Sequence, residues 1–266
     1  MSVHLVLPDC QVRLGDDTKF LSSIGTYLVK KQPDVIVCLG DFADMPSLSS
    51  YDVGKKSFEG RRYIHDIDAA NNAMDALLSP LKEFNTRAKK NKEKQYKPRM
   101  VLTLGNHENR INRAVENDAK LDGVLSVDDL RYKEAGWEVV PFLDVAIVDG
   151  VAYSHYFVTG VAGRPAGSAA AQLRKTNMSS IAGHQQGLQI ATGSRADGSR
   201  LTSIIAGSCY EHQEDYLGPQ GNQHWRGLLM LHEVKDGSFD LMPVSLKYIT
   251  EKYNGKSKEF NDGVGV

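Results

Sequence analysis

The chain has 266 residues, of which 41% are hydrophobic and 24% are charged, and its formal net charge is -1. This length allows a single α/β domain with a large buried core. The balanced charge excludes a global attraction to nucleic acid or to anionic membrane, so any polyanion would have to bind a local patch.

Cysteine usage and hydropathy indicate the cellular compartment. Cys10, Cys38 and Cys209 are an odd number of cysteines in a chain too large to need disulfides. No segment approaches the ~20 apolar residues of a membrane span. The N-terminus also lacks the pattern of a secretory signal. We therefore predict a reducing, cytoplasmic location and no membrane partner.

The first half of the sequence predicts strands that alternate with helices. Residues 3–7 predict a buried strand, and Thr18 caps a helix that reaches Pro33. Residues 35–39 and 100–104 predict two further strands, each a short apolar run typical of a parallel sheet. Strand, helix and strand then make right-handed βαβ units.

Residues 45–99 predict a helical, basic insertion over the edge of the sheet that carries the loops. Its long helix has Ile64 on the apolar face and Asp66 outside that face, and Pro80 is expected to end or kink it. Residues 82–99 contain eight Lys or Arg against two Glu. This basic run is either a solvated helix end or a nucleic-acid contact.

The second half is rich in predicted strands. Ser168 caps a helix over residues 169–175. The glycine-rich loop at 160–167 lacks the Gly-Lys-Ser/Thr ending of a phosphate-binding loop. The strands are predicted at 138–140, 145–148, 151–155, 180–182, 188–192, 201–206, 228–233 and 239–246. Residues 1–253 are predicted to form one domain, followed by a flexible tail at 254–266.

Polar, metal-capable side chains follow several of these strands. In an open α/β sheet the carboxyl ends of the strands are where ligands bind, because the loops there can pool polar groups. These side chains are Asp9, Gln11, Asp41, Asp44, Asn106, His107, His155, His184 and Gln186. We expect them to converge, because so many metal-capable groups at one sheet edge would otherwise be costly to desolvate.

The order of the motifs, Asp-x-Gln, Gly-Asp-x-x-Asp, Gly-Asn-His-Glu, Ser-His and Gly-His-x-Gln, resembles the calcineurin-like metallophosphoesterase superfamily. The resemblance spans residues 9–186, and the central motifs are similar to those of small members encoded by bacteriophages. It implies a four-layer α/β/β/α sandwich with two mixed sheets and a metal-dependent phosphoester hydrolase. It also implies two divalent ions, which at ~4 Å apart can generate the nucleophile and neutralise phosphoryl charge.

The resemblance assigns metal ligands residue by residue. Asp41 would bridge the two ions, and Asp9 would anchor the first. Asn106, His155 and His184 would complete the second site.

It also assigns catalytic residues. His107 would protonate the leaving oxygen or stabilise the phosphoryl charge, and Asp44 would orient its ring.

The chain departs from the family pattern at the first metal. Gln11 and Gln186 stand where the family usually has histidine, so this site would contain only oxygen ligands. Such ligands favour Mn or Mg over Zn, with Zn, Fe or Ni also allowed, and weaken the site. Three outcomes stay open: a working Mn/Mg site, a site filled only with substrate, and a single-metal enzyme.

A second departure concerns the substrate. Met45 stands where phosphoprotein phosphatases of the family often have a phosphate-gripping arginine. Arg110, Arg113, Arg61 or Arg62 are the candidate replacements. Without the clamp we favour phosphodiester substrates, in nucleic acid or nucleotides. A phosphomonoesterase and a catalytically degenerate binding module are the alternatives, and the oligomeric state stays open.

The loop at 207–225 is predicted to shape the pocket. Tyr210, Tyr216 and Trp225 offer stacking faces for a base. We interpret His212 and His224 as hydrogen-bonding loop residues rather than ligands.

Overall fold

The computed structural model describes residues 1–214 and 218–254, so Tyr216 and the predicted tail beyond Asn254 lie outside the described residues. The strands are β1 (Ser2–Leu7), β2 (Val35–Cys38), β3 (Arg99–Thr103), β4 (Glu138–Val140), β5 (Ala146–Val148), β6 (Val151–Ser154), β7 (Ser180–Ala182), β8 (Leu188–Ser194), β9 (Arg200–Ala206), β10 (Gly227–Lys235) and β11 (Ser238–Ser245). The α-helices are α1 (Lys19–Lys31), α2 (Tyr63–Lys90), α3 (Asn109–Asn117), α4 (Ala169–Thr176), α5 (Gly218–Gly221) and α6 (Leu246–Tyr253). Short 3-10 helices lie at Pro46–Leu48, Lys56–Phe58, Ala119–Leu121 and Val127–Leu130.

The strands form two mixed sheets, which confirms the predicted α/β class. One sheet has the order β11-β10-β1-β2-β3-β4, and the other has the order β5-β6-β7-β9-β8. In the first sheet β1 to β4 are parallel to one another, β10 pairs antiparallel with β1, and β11 pairs antiparallel with β10. Because β1, β2 and β3 are parallel neighbours, the loops after them leave from the same edge.

Alternate residues of the buried strands face opposite sides of the first sheet. Val6 and Val37 pack in one apolar cluster with Tyr153 and Ile204 of the second sheet. Leu5 and its neighbours on the other face pack against α1 and α2. Buried strands of this kind, covered on both faces, are nearly all apolar, which explains the runs in the sequence.

Helix α2 is the crossover between β2 and β3, and it packs along α1. The helical part of the predicted insertion at 45–99 therefore belongs to the layer that covers the sheet. Pro80 does not end this helix. A Cβ on Gly25 of α1 would lie 2.2 Å from the Leu77 carbonyl oxygen and 3.0 Å from the Pro80 ring. The absence of a side chain at Gly25 thus allows α1 to approach α2 closely at the turn that contains Pro80.

Two details of the predicted helices were wrong. Ile64 is 57% exposed, whereas Asp66 is buried. Asp66 tolerates burial because its carboxylate accepts a hydrogen bond from the Ser47 N–H at 2.8 Å. The last predicted strand also stops at Ser245, whose hydroxyl caps the unpredicted helix α6 by accepting from the Tyr248 N–H.

The basic run at 82–99 comprises the last turns of α2 and the segment after this helix, and that segment lies at the edge where the parallel strands begin. It ends α2 and leads into β3. Tyr96 ties it to the loop before β2 by donating a hydrogen bond to the Pro33 carbonyl oxygen. The segment after α2 is therefore separated by the length of the strands from the loops that carry Asp41 and His107. In the described part of the chain, no helix is both long and apolar enough to cross a membrane.

Candidate functional site

Four predicted ligands converge at the carboxyl edge of the two sheets. Ligand atoms of Asp41, His155 and His184 all lie within 4.8 Å of one another. The Asn106 Oδ1 atom lies 2.9 Å from His155 Nε2 and 2.7 Å from His184 Nδ1. One carboxylate, one amide oxygen and two imidazoles therefore face a common point.

The environment of His155 shows that this point suits a cation. The His155 Nδ1 atom lies 2.8 Å from the Leu39 carbonyl oxygen and donates to it, since that oxygen can only accept. The Nε2 atom lies 2.9 and 3.3 Å from the oxygens of Asn106 and Asp41, and a metal that displaced its proton would meet its lone pair together with these oxygens. These groups are all electron-pair donors, and such a set fits a divalent metal ion.

The charges of the cluster are strongly coupled. Burial opposes the charged form of His155, but the Asp41 carboxylate outweighs it and raises the pKa of His155 to about 9. Burial and the neighbouring His155 lower the pKa of His184 to about 4. Burial would raise the pKa of Asp41, yet His107 and His155 hold it well below its usual range. Groups perturbed in opposite directions within one cleft are typical of functional sites.

The backbone around these ligands is strained. Asp41, Gln11 and His184 have positive φ values of 46°, 44° and 65°. Residues other than glycine rarely adopt this left-handed conformation, and it clusters at functional sites. Gly105 allows the close approach of the next loop, because a Cβ there would lie 2.1 Å from Asp41 Oδ1.

His107 and Asp44 form a pair beside the ligand cluster. The His107 Nδ1 atom lies 2.8 Å from Asp44 Oδ1, and its Nε2 atom lies 3.7 Å from Asp41 Oδ2. Burial would lower the pKa of His107, but Asp41 and Asp44 raise it above its ordinary value. Asp44 thus faces one ring nitrogen, and the other points toward the ligands.

Glu108 is a further site residue that sequence reasoning missed. It is fully buried, and its carboxylate accepts hydrogen bonds of 2.8–3.0 Å from the backbone N–H groups of Asp41, Phe42, Ala43 and Gly105. The Tyr132 hydroxyl donates to it at 3.3 Å. Burial and the Asp41 charge raise the pKa of Glu108, and the N–H donors oppose that rise. One side chain therefore holds together the loops after β2 and β3.

The residues predicted for the first metal are less well gathered. Asp9 is buried, and both its oxygens accept from the His184 N–H, at 3.0 and 3.1 Å. Burial, aided by Asp41, raises its pKa to about 7. Gln11 contributes a backbone hydrogen bond of 2.8 Å to the Asp41 carbonyl oxygen. The amide oxygen of Gln186 accepts a hydrogen bond from the Tyr210 hydroxyl at 2.5 Å.

The predicted substrate-binding arginines differ in their surroundings. Arg110 donates to the carbonyl oxygens of Asp44 and Met45, at 2.7 and 3.2 Å, so it stabilises this loop. Arg113 is exposed, one turn further along α3. Arg13, which the sequence did not single out, lies 4.0 Å from Asp44 Oδ2.

The loop at 207–225 meets the site through Tyr210. This ring is fully buried, stacked on His212 with centroids 4.2 Å apart and covered by Arg226 at 4.8 Å. It therefore cannot serve as the predicted stacking face for a base. His212 bonds Glu214 and His224 bonds Ser208, as hydrogen-bonding loop residues.

Comparison with known proteins gives no match: no protein-family model matches the chain, and a search of curated proteins returns no significant similarity.

Proposed function

We propose that the chain is a divalent-metal-dependent phosphoester hydrolase that acts on phosphodiesters of nucleic acid or nucleotides. The observation that carries the proposal is the convergence of Asp41, Asn106, His155 and His184 beside the His107–Asp44 pair. The sheet order and the helices on either side also agree with the four-layer sandwich of the calcineurin-like superfamily, which the motifs resemble.

The four converging residues would hold the metal ion. When bound, such an ion supplies a nucleophile at neutral pH and positive charge near the phosphoryl oxygens. Asp41 and His155 are fixed by Glu108 and by the Leu39 carbonyl oxygen, so the chain presents its ligands in one geometry.

His107 would move the proton of the reaction. Asp41 and Asp44 raise the pKa of His107, which favours the protonated ring, and the Asp44 carboxylate 2.8 Å from Nδ1 would orient it. The Nε2 atom is then the one that can donate to the leaving oxygen.

Substrate choice follows from the arginines. Arg110 is engaged by backbone carbonyl oxygens, so it supports the loop rather than presenting a free fork to a phosphate dianion. This arrangement favours a diester, which carries less charge than a monoester.

The test is hydrolysis of bis(p-nitrophenyl) phosphate and p-nitrophenyl phosphate with Mn, Mg, Zn or a chelator. We expect metal-dependent turnover with the diester preferred. Asp41→Asn and His107→Gln should each lower turnover at least ~100-fold. The matched controls are Asp68→Asn and His65→Gln, two exposed positions on α2.

Equal turnover by Asp41→Asn and Asp68→Asn would contradict the proposal. A clear preference for the monoester would replace the diesterase with a phosphomonoesterase. Metal binding without turnover of either substrate would leave a binding module.

A further inference from the structure

The two positions expected to hold metal are built unequally. At one, the ligand atoms of Asp41, His155 and His184 lie within 4.8 Å of one another, and Asn106 bonds both imidazoles. Among the described residues, Asp9 belongs to no comparable group of three titratable ligands. The second metal position, that of His155 and His184, is thus a formed cluster. The first position has only the Asp9 carboxylate as a ligand of its own.

Gln186 has another partner at the first position. Its amide oxygen, the atom that a metal would need, accepts the hydroxyl proton of Tyr210 at 2.5 Å. Tyr210 is held firmly, because its ring is buried between His212 and Arg226. The Gln186 oxygen is therefore fixed toward Tyr210, and this hydrogen bond withdraws one of its two lone pairs.

Ligand chemistry widens the difference. A neutral amide oxygen binds transition metals more weakly than an imidazole nitrogen does. Gln11 and Gln186 place two amides beside Asp9, at the positions where the resembled superfamily usually has two histidines. An ion at the first position would then depend on the shared carboxylate of Asp41. The Oδ1 atom of this carboxylate already accepts a hydrogen bond from the backbone N–H of His107 at 2.8 Å.

We propose that the chain binds one resident divalent ion, held by Asp41, Asn106, His155 and His184. Gln186 then accepts the hydrogen bond of Tyr210 instead of binding a second ion. The inference rests on the proposed function for the presence of a metal. It goes further by assigning the stoichiometry and by giving Tyr210 the role of holding Gln186 out of the metal position.

The experiment counts bound Mn²⁺ in the full chain after removal of metal by chelator, reloading and dialysis. We expect one Mn²⁺ per chain, with the EPR spectrum of an isolated ion. His155→Asn should reduce the count to zero. The double variant Gln11→His/Gln186→His should bind two ions whose spectrum shows spin coupling, because ions ~4 Å apart interact.

Tyr210→Phe provides an independent test that keeps both glutamines. It removes the hydroxyl and preserves the buried ring, so the Gln186 oxygen is released. We expect binding of a second Mn²⁺ to become about tenfold tighter. Tyr96→Phe, which removes a hydroxyl that donates to the Pro33 carbonyl oxygen at the opposite edge of the sheet, is the matched control and should leave the second binding step unchanged.

Two tightly held ions in the wild type would overturn the inference and leave the proposed function standing. A single ion in the folded double histidine variant would also overturn it, because the glutamines would not be the cause. One resident ion in a chain that hydrolyses neither phosphoester would support the inference while the proposed function fails.

Discussion

Replacing Glu108 should weaken the hydrogen bonds that hold the loops after β2 and β3 together at the candidate site. Oε1 accepts from the N–H groups of Phe42 and Ala43, and Oε2 accepts from those of Asp41 and Gly105. Glu108→Gln keeps the shape but turns one oxygen into an NH₂ group, which faces two N–H donors. A hydrogen bond to an ionised group contributes about 1.5–3 kcal/mol, so two lost bonds predict a loss of roughly 3–6 kcal/mol.

Urea unfolding of the metal-free chain measures this loss as a change in the free energy of unfolding. Tyr132→Phe is the matched control, because it removes a single 3.3 Å hydrogen bond to the same carboxylate. At 3.3 Å this hydrogen bond is long and weak, so its loss should cost only about 0.5–1.5 kcal/mol. Mn²⁺ affinity should fall in Glu108→Gln and stay unchanged in Tyr132→Phe. If Glu108→Gln were no less stable than Tyr132→Phe, the carboxylate would not be holding the loops.

Two further predictions concern the same loops. Gly105→Ala should lower Mn²⁺ affinity more than tenfold and cost about 1–3 kcal/mol, since its Cβ would lie 2.1 Å from Asp41 Oδ1. Gly167→Ala, where the Cβ would meet nothing within 4 Å, is the control in both calorimetry and urea unfolding, and an equal effect would refute the packing argument. Asp44→Asn removes a charge that raises the pKa of His107, so the alkaline limb of the pH–rate profile should move to lower pH. An unmoved limb would mean that a group other than His107 titrates there.

Local sequence signals were sufficient for most of the fold. The apolar runs at Val35–Cys38 and Ser180–Ala182 became buried strands, and the Ser168 hydroxyl caps α4 by accepting from the Ala171 N–H. Such features depend on neighbours along the chain, so one sequence reveals them. The close packing of α1 on the Pro80 turn of α2 depends instead on Gly25, a residue far away in sequence.

The candidate site likewise has features that the sequence predicted and features that depend on residues far away in the chain. Each of Asn106, His155 and His184 follows a predicted strand, and the resemblance of the motif order to the calcineurin-like superfamily implied that the three would meet. Glu108 directly follows His107 in the sequence, but three of its hydrogen-bond partners lie 65–67 residues earlier in the chain. The contact of Tyr210 with Gln186 likewise joins two loops whose separation no local pattern encodes.

Under the proposed function, the position of the basic run means that only a long substrate could contact it. The five residues of β3 separate the end of this run from the loop of His107, which at ~3.3 Å per residue is about 17 Å. Duplex DNA rises 3.4 Å per base pair, so roughly five base pairs span that distance. A mononucleotide bound beside His107 never meets these lysines, whereas a longer strand would have to follow the outside of α2 to reach them. Any contribution of the basic run would therefore depend on polymer length, and small chromogenic esters would not report it.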